Sequence, residues 1–306
     1  MSSKLNYIPK ITSYNDIRNE MNRDLEWRLS NRKEKTPYGR PLYYNINVQI
    51  IVTHECPFNC PFCMERQNPM CGKQDFSAQA ASLYNVLQYH PTARITVTGG
   101  EPILYPRHIN HLFRIFRDYS YNKFFVVNTT AYQEKKVREL NRFISMNVSV
   151  NDYVKPDKGS FIWNKSTLQT VVKDENMRLS HLRDWIKSVE EDNKCHPFSY
   201  SFRFLSGLDC KDYPVEIWNE LRCDPDIEIS TFRIGDFFVY CNYWDKKMQR
   251  ECRVTLGDMY QQRLNLEKYG DGYSNIIIHP DGKIGGELAI ITEKIVENKR
   301  VDMKFY

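Results

Sequence analysis

No stretch of this 306-residue chain approaches the ~18 consecutive apolar residues that would cross a bilayer. Its polar start, Met1-Ser-Ser-Lys-Leu-Asn6, lacks a secretory apolar region. Both absences predict a protein of the reducing cytoplasm with no membrane partner, in which the nine cysteines stay as thiols rather than disulfides. Charge of one sign is scarce too: a formal net charge of +5 favours anionic substrates only weakly. The cations from Arg28 to Arg40 are interleaved with or preceded by Glu20, Asp24, Glu26 and Glu34, the pattern of a solvated face rather than a nucleic-acid patch. With 41% apolar and 26% charged residues, the chain can bury a large core in one domain or in a domain with an appendage.

What the chain does have is a knot of thiols. Cys56, Cys60 and Cys63 stand in the run Cys-Pro-Phe-Asn-Cys-Pro-Phe-Cys. Three closely spaced thiolates suit an iron–sulfur cluster and leave one iron without a protein ligand, to be met by a distant fourth cysteine or by a small molecule at an open site. A structural zinc site is the competing reading. It normally needs a second Cys/His pair at short spacing, and no second Cys-x2-Cys exists. His54 could serve as a fourth ligand, although it ends the strand marked by the alternation of Ile46, Val48, Ile50 and Val52. Further on, the β-branched strand Arg94 to Thr98 runs into Gly99-Gly100-Glu101-Pro102. Two glycines that permit close backbone approach, followed by a carboxylate, can grip an ammonium group.

On these two motifs the chain resembles the radical S-adenosylmethionine (SAM) superfamily, whose signature is Cys-x3-Cys-x2-Cys after the first strand and a Gly-Gly-Glu-Pro-like loop after the second. Both match without insertion, and the resemblance covers about residues 45 to 205. It implies one [4Fe–4S] cluster on Cys56, Cys60 and Cys63, with SAM as cofactor. It also places Phe62 beside the adenine and Gly99, Gly100 and Glu101 at the methionyl end.

Strand–helix alternation continues down the chain: helix 77–90, strand 94–98, helix 107–119, strand 123–128, a helix near 132–142 and strand 144–150. A longer connection from Asp152 to Glu175 follows, then a fifth strand at Met177 to His181, a helical stripe of Leu182, Trp185, Ile186 and Val189, and a sixth strand at Ser199 to Phe204. Alternation at this period predicts an α/β fold with a parallel sheet. Six units match the family's partial (β/α)6 TIM-like barrel, with its site at the carboxyl ends of the strands. The expected organisation is an N-terminal capping helix or arm at 1–44, the barrel at 45–205, and a small C-terminal α+β extension at 206–306 covering the barrel mouth. In that tail, hairpins are expected at 227–244 and around Pro280-Asp281-Gly282, with a helix near Gly257 to Lys268 between them.

Rim positions nominate further residues. Ser149 and Asn151 sit by family position where the SAM ribose is bound, and the same residue types also cap helices and make turns. Arg178 and Arg203, read on strands five and six, would contact the SAM carboxylate or the substrate, or else form structural ion pairs. The later cysteines, Cys195, Cys210, Cys223, Cys241 and Cys252, offer no close pair to nucleate an auxiliary cluster and read as scattered thiols. Cys210 or Cys241 in the barrel mouth could donate a hydrogen atom to a substrate radical.

The resemblance further implies the chemistry: one electron, from a donor such as flavodoxin or ferredoxin, cleaves SAM to methionine and a 5′-deoxyadenosyl radical that abstracts a hydrogen atom. The short chain favours a small-molecule substrate, a nucleoside, sugar or natural-product intermediate. A peptide-modifying enzyme, performing epimerisation or cross-linking, is the alternative. A non-catalytic iron–sulfur or nucleic-acid-binding protein is a third.

Overall fold

The structure is a computed structural model; it describes residues 9–31, 47–61, 63, 73–157, 166–172, 178–193, 198–204, 213–234, 238–258 and 275–285. Two compact units emerge: Tyr43–Lys165 with Glu267–Tyr306, and Met1–Leu42 with Ser166–Leu266. Among the described residues no helix is long and apolar enough to cross a membrane.

The first unit holds both motifs. Its strands are β1 (Asn47–Ile51), β2 (Arg94–Thr98), β3 (Phe125–Thr129) and β4 (Ser145–Ser149), all paired in parallel in that order. Two late strands join this sheet: β10 (Asn275–Ile278) lies parallel to β1, and β11 (Ile284–Gly285) turns back antiparallel on β10 around Pro280-Asp281-Gly282. Helices α2 (Phe76–Tyr89), α3 (Pro106–Tyr119) and α4 (Glu134–Glu139) fill the crossovers. Val48, Ile50, Ile95, Val97, Phe125, Val127, Met146 and Val148 are buried with Leu83, Leu87, Ile109, Leu112 and Phe116 of the helices. The alternate strand residues, Gln49, Thr96, Asn128 and Asn147 among them, stay half-buried and polar, so the period-2 pattern separates an apolar face from a polar one. Asn128 and Asn147 lie opposite each other, and Asn147 Nδ2 donates to Asn128 Oδ1 at 2.9 Å.

The second unit contains α1 (Tyr14–Asn31), β5 (Ser166–Val172), α5 (Leu179–Asn193), β6 (Ser199–Phe204), α6 (Tyr213–Cys223), β7 (Ile227–Ile234), β8 (Phe238–Asp245) and β9 (Arg250–Asp258). β5, β6 and β9 pair in parallel, and β9–β8–β7 form an antiparallel meander. The helix expected in the N-terminal arm forms as α1, and its Ile17 and Met21 side chains are buried.

Three expectations are corrected in this unit. The fifth strand is Ser166–Val172, inside the stretch read as a connection, and not 177–181. Among its described side chains only Ser166 and Leu168 are buried, so no apolar alternation marked it. Leu179 instead opens the helical stripe Leu179, Leu182, Ile186 and Val189, all buried. Gly257 and Asp258 end strand β9 rather than start a helix, because Cys252, Val254 and Leu256 alternate into the core against exposed Glu251 and Arg253. The remainder of that expected helix lies outside the described residues.

A buried polar relay ties the first unit together. The Gln79 amide, fully buried on α2, donates to Ile51 O at 2.7 Å and to His279 O at 3.0 Å. With both of its N–H groups committed, its Oε1 must accept, so His108 donates from Nε2 across 2.9 Å. Burial, with a smaller contribution from His111, pushes His108 down from 6.5 to about 4. The unfolded chain therefore takes up this proton at a higher pH than the folded one, and stability falls as pH drops from about 6.5 to about 4 and levels off below. His108→Gln should flatten that part of the profile, read as Tm against pH by circular dichroism. Identical slopes in the two proteins would show that His108 does not carry the effect.

Candidate functional site

The carboxyl ends of β1 and β2 are stitched together beyond the strands themselves. Val52 N donates to Thr98 O at 2.9 Å, Gly100 N to Thr53 O at 2.7 Å and Glu101 N to Glu55 O at 2.7 Å. The Gly-Gly-Glu-Pro loop thus lies along the first residues of the cysteine loop. Only glycine permits this. A Cβ on Gly99, whose φ is +127°, would stand 2.5 Å from Thr53 O, and one on Gly100 would stand 2.2 Å from Glu55 O. The close approach expected of these glycines is made to the cysteine loop's own backbone.

Glu101 has no exposed surface. Its Oε1 accepts from Ile103 N at 3.0 Å and Thr129 Oγ1 at 2.5 Å, and its Oε2 accepts from Thr130 N at 2.8 Å and Thr130 Oγ1 at 2.5 Å. Burial pushes this carboxyl up, against the four donors that hold it down. The expected grip of this carboxylate on an ammonium group meets an anion whose acceptor positions are already taken. What Glu101 does here is cap the single 3₁₀ turn Pro102–Leu104 and bolt the loop to the end of β3.

On the cysteine loop, Cys56 is exposed, Cys60 and Cys63 are half-buried, and all three are free thiols. Cys63 N donates to Cys60 O at 3.1 Å, closing a turn that brings the last two cysteines together. Burial pushes the Cys56 thiol up, and the charges of Glu101, Cys63 and Cys60 push it further. Thiolates that repel one another in this way are the arrangement a bound cation relieves, and soft sulfur donors suit iron. Among the described residues no three His, Cys, Asp or Glu side chains close around one point. The site therefore fits an iron–sulfur cluster by donor chemistry and by a shared field, not by a finished cage.

Two aromatic contacts missed by the sequence reading border the loop. Phe58 packs edge-on to Tyr132 at 5.2 Å, and the Tyr132 hydroxyl is pushed up by burial and by the charges of Glu101 and Cys56. Tyr105 donates its hydroxyl to Glu55 Oε2 at 2.7 Å. Neither ring carries a motif; only the pairing of β1, β2 and β3 brings them to the loop. The joint hold of Thr129 and Thr130 on Glu101 carries no local sequence signal either.

The other expected residues are dispersed. Ser149 is half-buried at the end of β4. Asn151 Oδ1 accepts from Tyr153 N at 2.9 Å and Val154 N at 3.2 Å, the turn-making role named as its alternative. Arg178 is not on a strand. It precedes α5, 40% exposed, where its guanidinium pairs with Glu216 and, at 3.5 Å, Glu220. Arg203 does sit on β6, half-buried. Cys241 is fully buried on β8, and burial pushes its thiol up to about 12. A thiol with no exposed surface does not line a barrel mouth, so its expected role as hydrogen donor is withdrawn. Phe62 and Cys210 lie outside the described residues.

Two substitutions probe this junction. Glu101→Gln turns an amide N–H₂ toward two of the four donors and should cost about 1–3 kcal/mol, because at least one buried N–H is left unsatisfied. Gly100→Ala should destabilise more, since the Cβ meets backbone and not a movable side chain. Chemical denaturation checks both, and wild-type midpoints in either variant would contradict the geometry described.

Residues 50–161 match the family model described as Radical SAM superfamily. No curated protein matches the sequence. Among solved structures, Streptococcus suis SuiB bound to S-adenosylmethionine is 15% identical with a TM-score of 0.52, over 90% of this chain and 66% of that one. SuiB bound to precursor peptide SuiA is 15% identical with a TM-score of 0.49, over 97% and 72%. A histidine-tagged anSMEcpe with bound S-adenosylmethionine is 11% identical with a TM-score of 0.47, over 79% and 74%. At these identities the likeness is one of fold, and this chain spans slightly under two thirds of the first of these structures. Residues 50–161 hold both motifs and the parallel strands that join them, and over this span the chain is similar to the radical SAM superfamily, whose enzymes work with a [4Fe–4S] cluster and S-adenosylmethionine.

Proposed function

We propose that Cys56, Cys60 and Cys63 hold one [4Fe–4S] cluster with an open iron, that SAM lies along the ledge Gly99–Gly100–Glu101 with Ser149 and Asn151 toward its ribose, and that the enzyme takes a hydrogen atom from a small-molecule substrate. The observation that carries this reading is the backbone stitching of ledge to cysteine loop, Gly100 N to Thr53 O and Glu101 N to Glu55 O, which puts the ledge beside the thiols. When bound, cluster and SAM supply a one-electron cleavage that yields methionine and an adenosyl radical able to abstract hydrogen.

The chain's own residues bind, orient and exclude water. Glu101 fixes the height of the ledge through Thr129 and Thr130 without touching solvent. Phe58 and Tyr132 pack edge-on beside Cys56 and give one side of the loop an aromatic surface. The half-buried, uncharged Asn128–Asn147 pair lies on strands that lead to the site and suits a substrate rich in hydroxyl or amide groups.

A second reading is a peptide substrate. It is supported by the edge strand β7, which pairs only with β8 among the described residues and presents alternating half-exposed side chains along Ile227–Ile234. An extended peptide could add to such an edge through its main chain.

Anaerobically reconstituted protein should carry about four irons per chain. With dithionite and SAM it should release 5′-deoxyadenosine and methionine. Changing Cys56, Cys60 and Cys63 together to alanine should remove both the cluster absorbance and the cleavage. A triple variant that still cleaved SAM would refute the assignment of these ligands. Deuterated candidates then separate the substrate readings by which one passes deuterium into 5′-deoxyadenosine.

A further inference from the structure

A groove of about 560 Å³ opens beside the neck of the cysteine loop, walled by Phe76, Leu104, Tyr105, Pro106, Arg107 and Lys136. Tyr105 joins both ends of that loop to the groove. Its hydroxyl holds Glu55, the residue before Cys56. Its ring packs at 5.0 Å on Phe76, where the chain returns from the loop and α2 begins. Phe76 in turn lies 4.3 Å from the His108 ring. The wall is mostly apolar, and its rim is mostly cationic. Arg107 is exposed and makes no ion pair among the described residues. Lys136 is spent only on Leu104 O, at 3.1 Å. Beyond the rim, α3 adds Arg114 and Arg117 against Asp118 alone, and α4 adds Lys135 and Arg138 against Glu134. Glu139 is the one acid lining the groove.

From this arrangement we infer that the groove is the docking surface for the one-electron donor, a small acidic redox protein. The inference rests on the proposed function, which needs one electron delivered from outside at the cysteine loop. The carrier is oxidised by one electron, the enzyme is reduced by one, and no bond is made or broken at the contact. Encounters of this kind use small interfaces, in which an apolar patch sets the contact and complementary charge sets the rate of association. Arg107 and Lys136, without acidic partners of their own, are free to meet carboxylates on the carrier, and their pull weakens as salt screens it. A carrier seated here meets Tyr105 and Phe76, two residues in contact with the ends of the loop that bears the thiols.

The test uses the full reconstituted chain and a flavodoxin. In Arg107→Glu/Lys136→Glu, flavodoxin binding measured by calorimetry at low salt should weaken at least about tenfold, since two attractive rim charges become repulsive. Flavodoxin-driven formation of 5′-deoxyadenosine should fall by a similar factor, whereas dithionite-driven formation stays at the wild-type level. Glu139→Lys should tighten flavodoxin binding. Unchanged binding in both charge-reversal proteins would overturn the inference. So would an equal loss of dithionite-driven cleavage, which would mean that the groove acts through the loop's structure instead. Failure of the wild-type protein to cleave SAM with dithionite is a separate outcome and would fall on the proposed function.

Discussion

The carboxylate of Glu101 is the constraint on which the site depends. An anion removed from water costs several kcal/mol unless donors replace the solvent, and here two backbone N–H groups and two hydroxyls do so. Those donors come from the 3₁₀ turn after β2 and from the end of β3, so satisfying one charge fixes three pieces of chain. The glycines bring the same loop within bonding distance of Thr53 and Glu55, which passes the constraint on to the root of the cysteine loop. The thiols owe their placement to a junction that contains no thiol.

Behind the junction, the other side of the cysteine loop is held by a second buried polar set. Asp75 caps α2 by accepting from Ser77 N and Ala78 N, and its own N–H donates to Pro280 O at 2.8 Å. Gln74 donates to Val52 O at 3.0 Å, and Gln79 bridges β1 to the segment after β10. The chain that leaves β1 at the cysteine loop therefore returns to a fixed point, and the late hairpin β10–β11 is part of what fixes it. The described residues on either side of the loop, Val52 and Asp75, are thus both held by backbone contacts.

The second unit relies on charge buried in pairs. Arg183, 11% exposed on α5, donates to Asp245 at 2.7 Å and Asp224 at 2.8 Å, joining the ends of α6 and β8. Arg250 and the Tyr200 hydroxyl share Glu190, both at 2.6 Å. Such sets specify one arrangement because removing any partner strands a buried charge. Arg178 belongs to the same class of contact, at the surface. A cation near an apolar stretch reads from sequence as a candidate ligand contact, and the acids that answer it arrive from a helix some 40 positions later, Glu216 and Glu220.

The sequence by itself determined the two motifs and most of the local structure. The Cys-x3-Cys-x2-Cys spacing, the glycine pair and the strand Arg94–Thr98 are local facts, set by residue type and short-range sterics, and α2, α3, β6, the β7–β8 hairpin and the β10–β11 turn followed from periodicity in the same way. Where periodicity was weak it misled: β5 buries too little to alternate, and β9 was hidden by a glycine at its end. Only the tertiary structure decided what Glu101, Tyr105 and Cys241 are for. Glu101 looked like a ligand until its four donors were in place, Tyr105 looked like any aromatic until Glu55 and Phe76 met it, and Cys241 looked available until the sheet closed over it. These outcomes depend on which residues distant in the chain come to share a space, and a hydrogen bond or a loss of solvent between them exists only once the strands have paired.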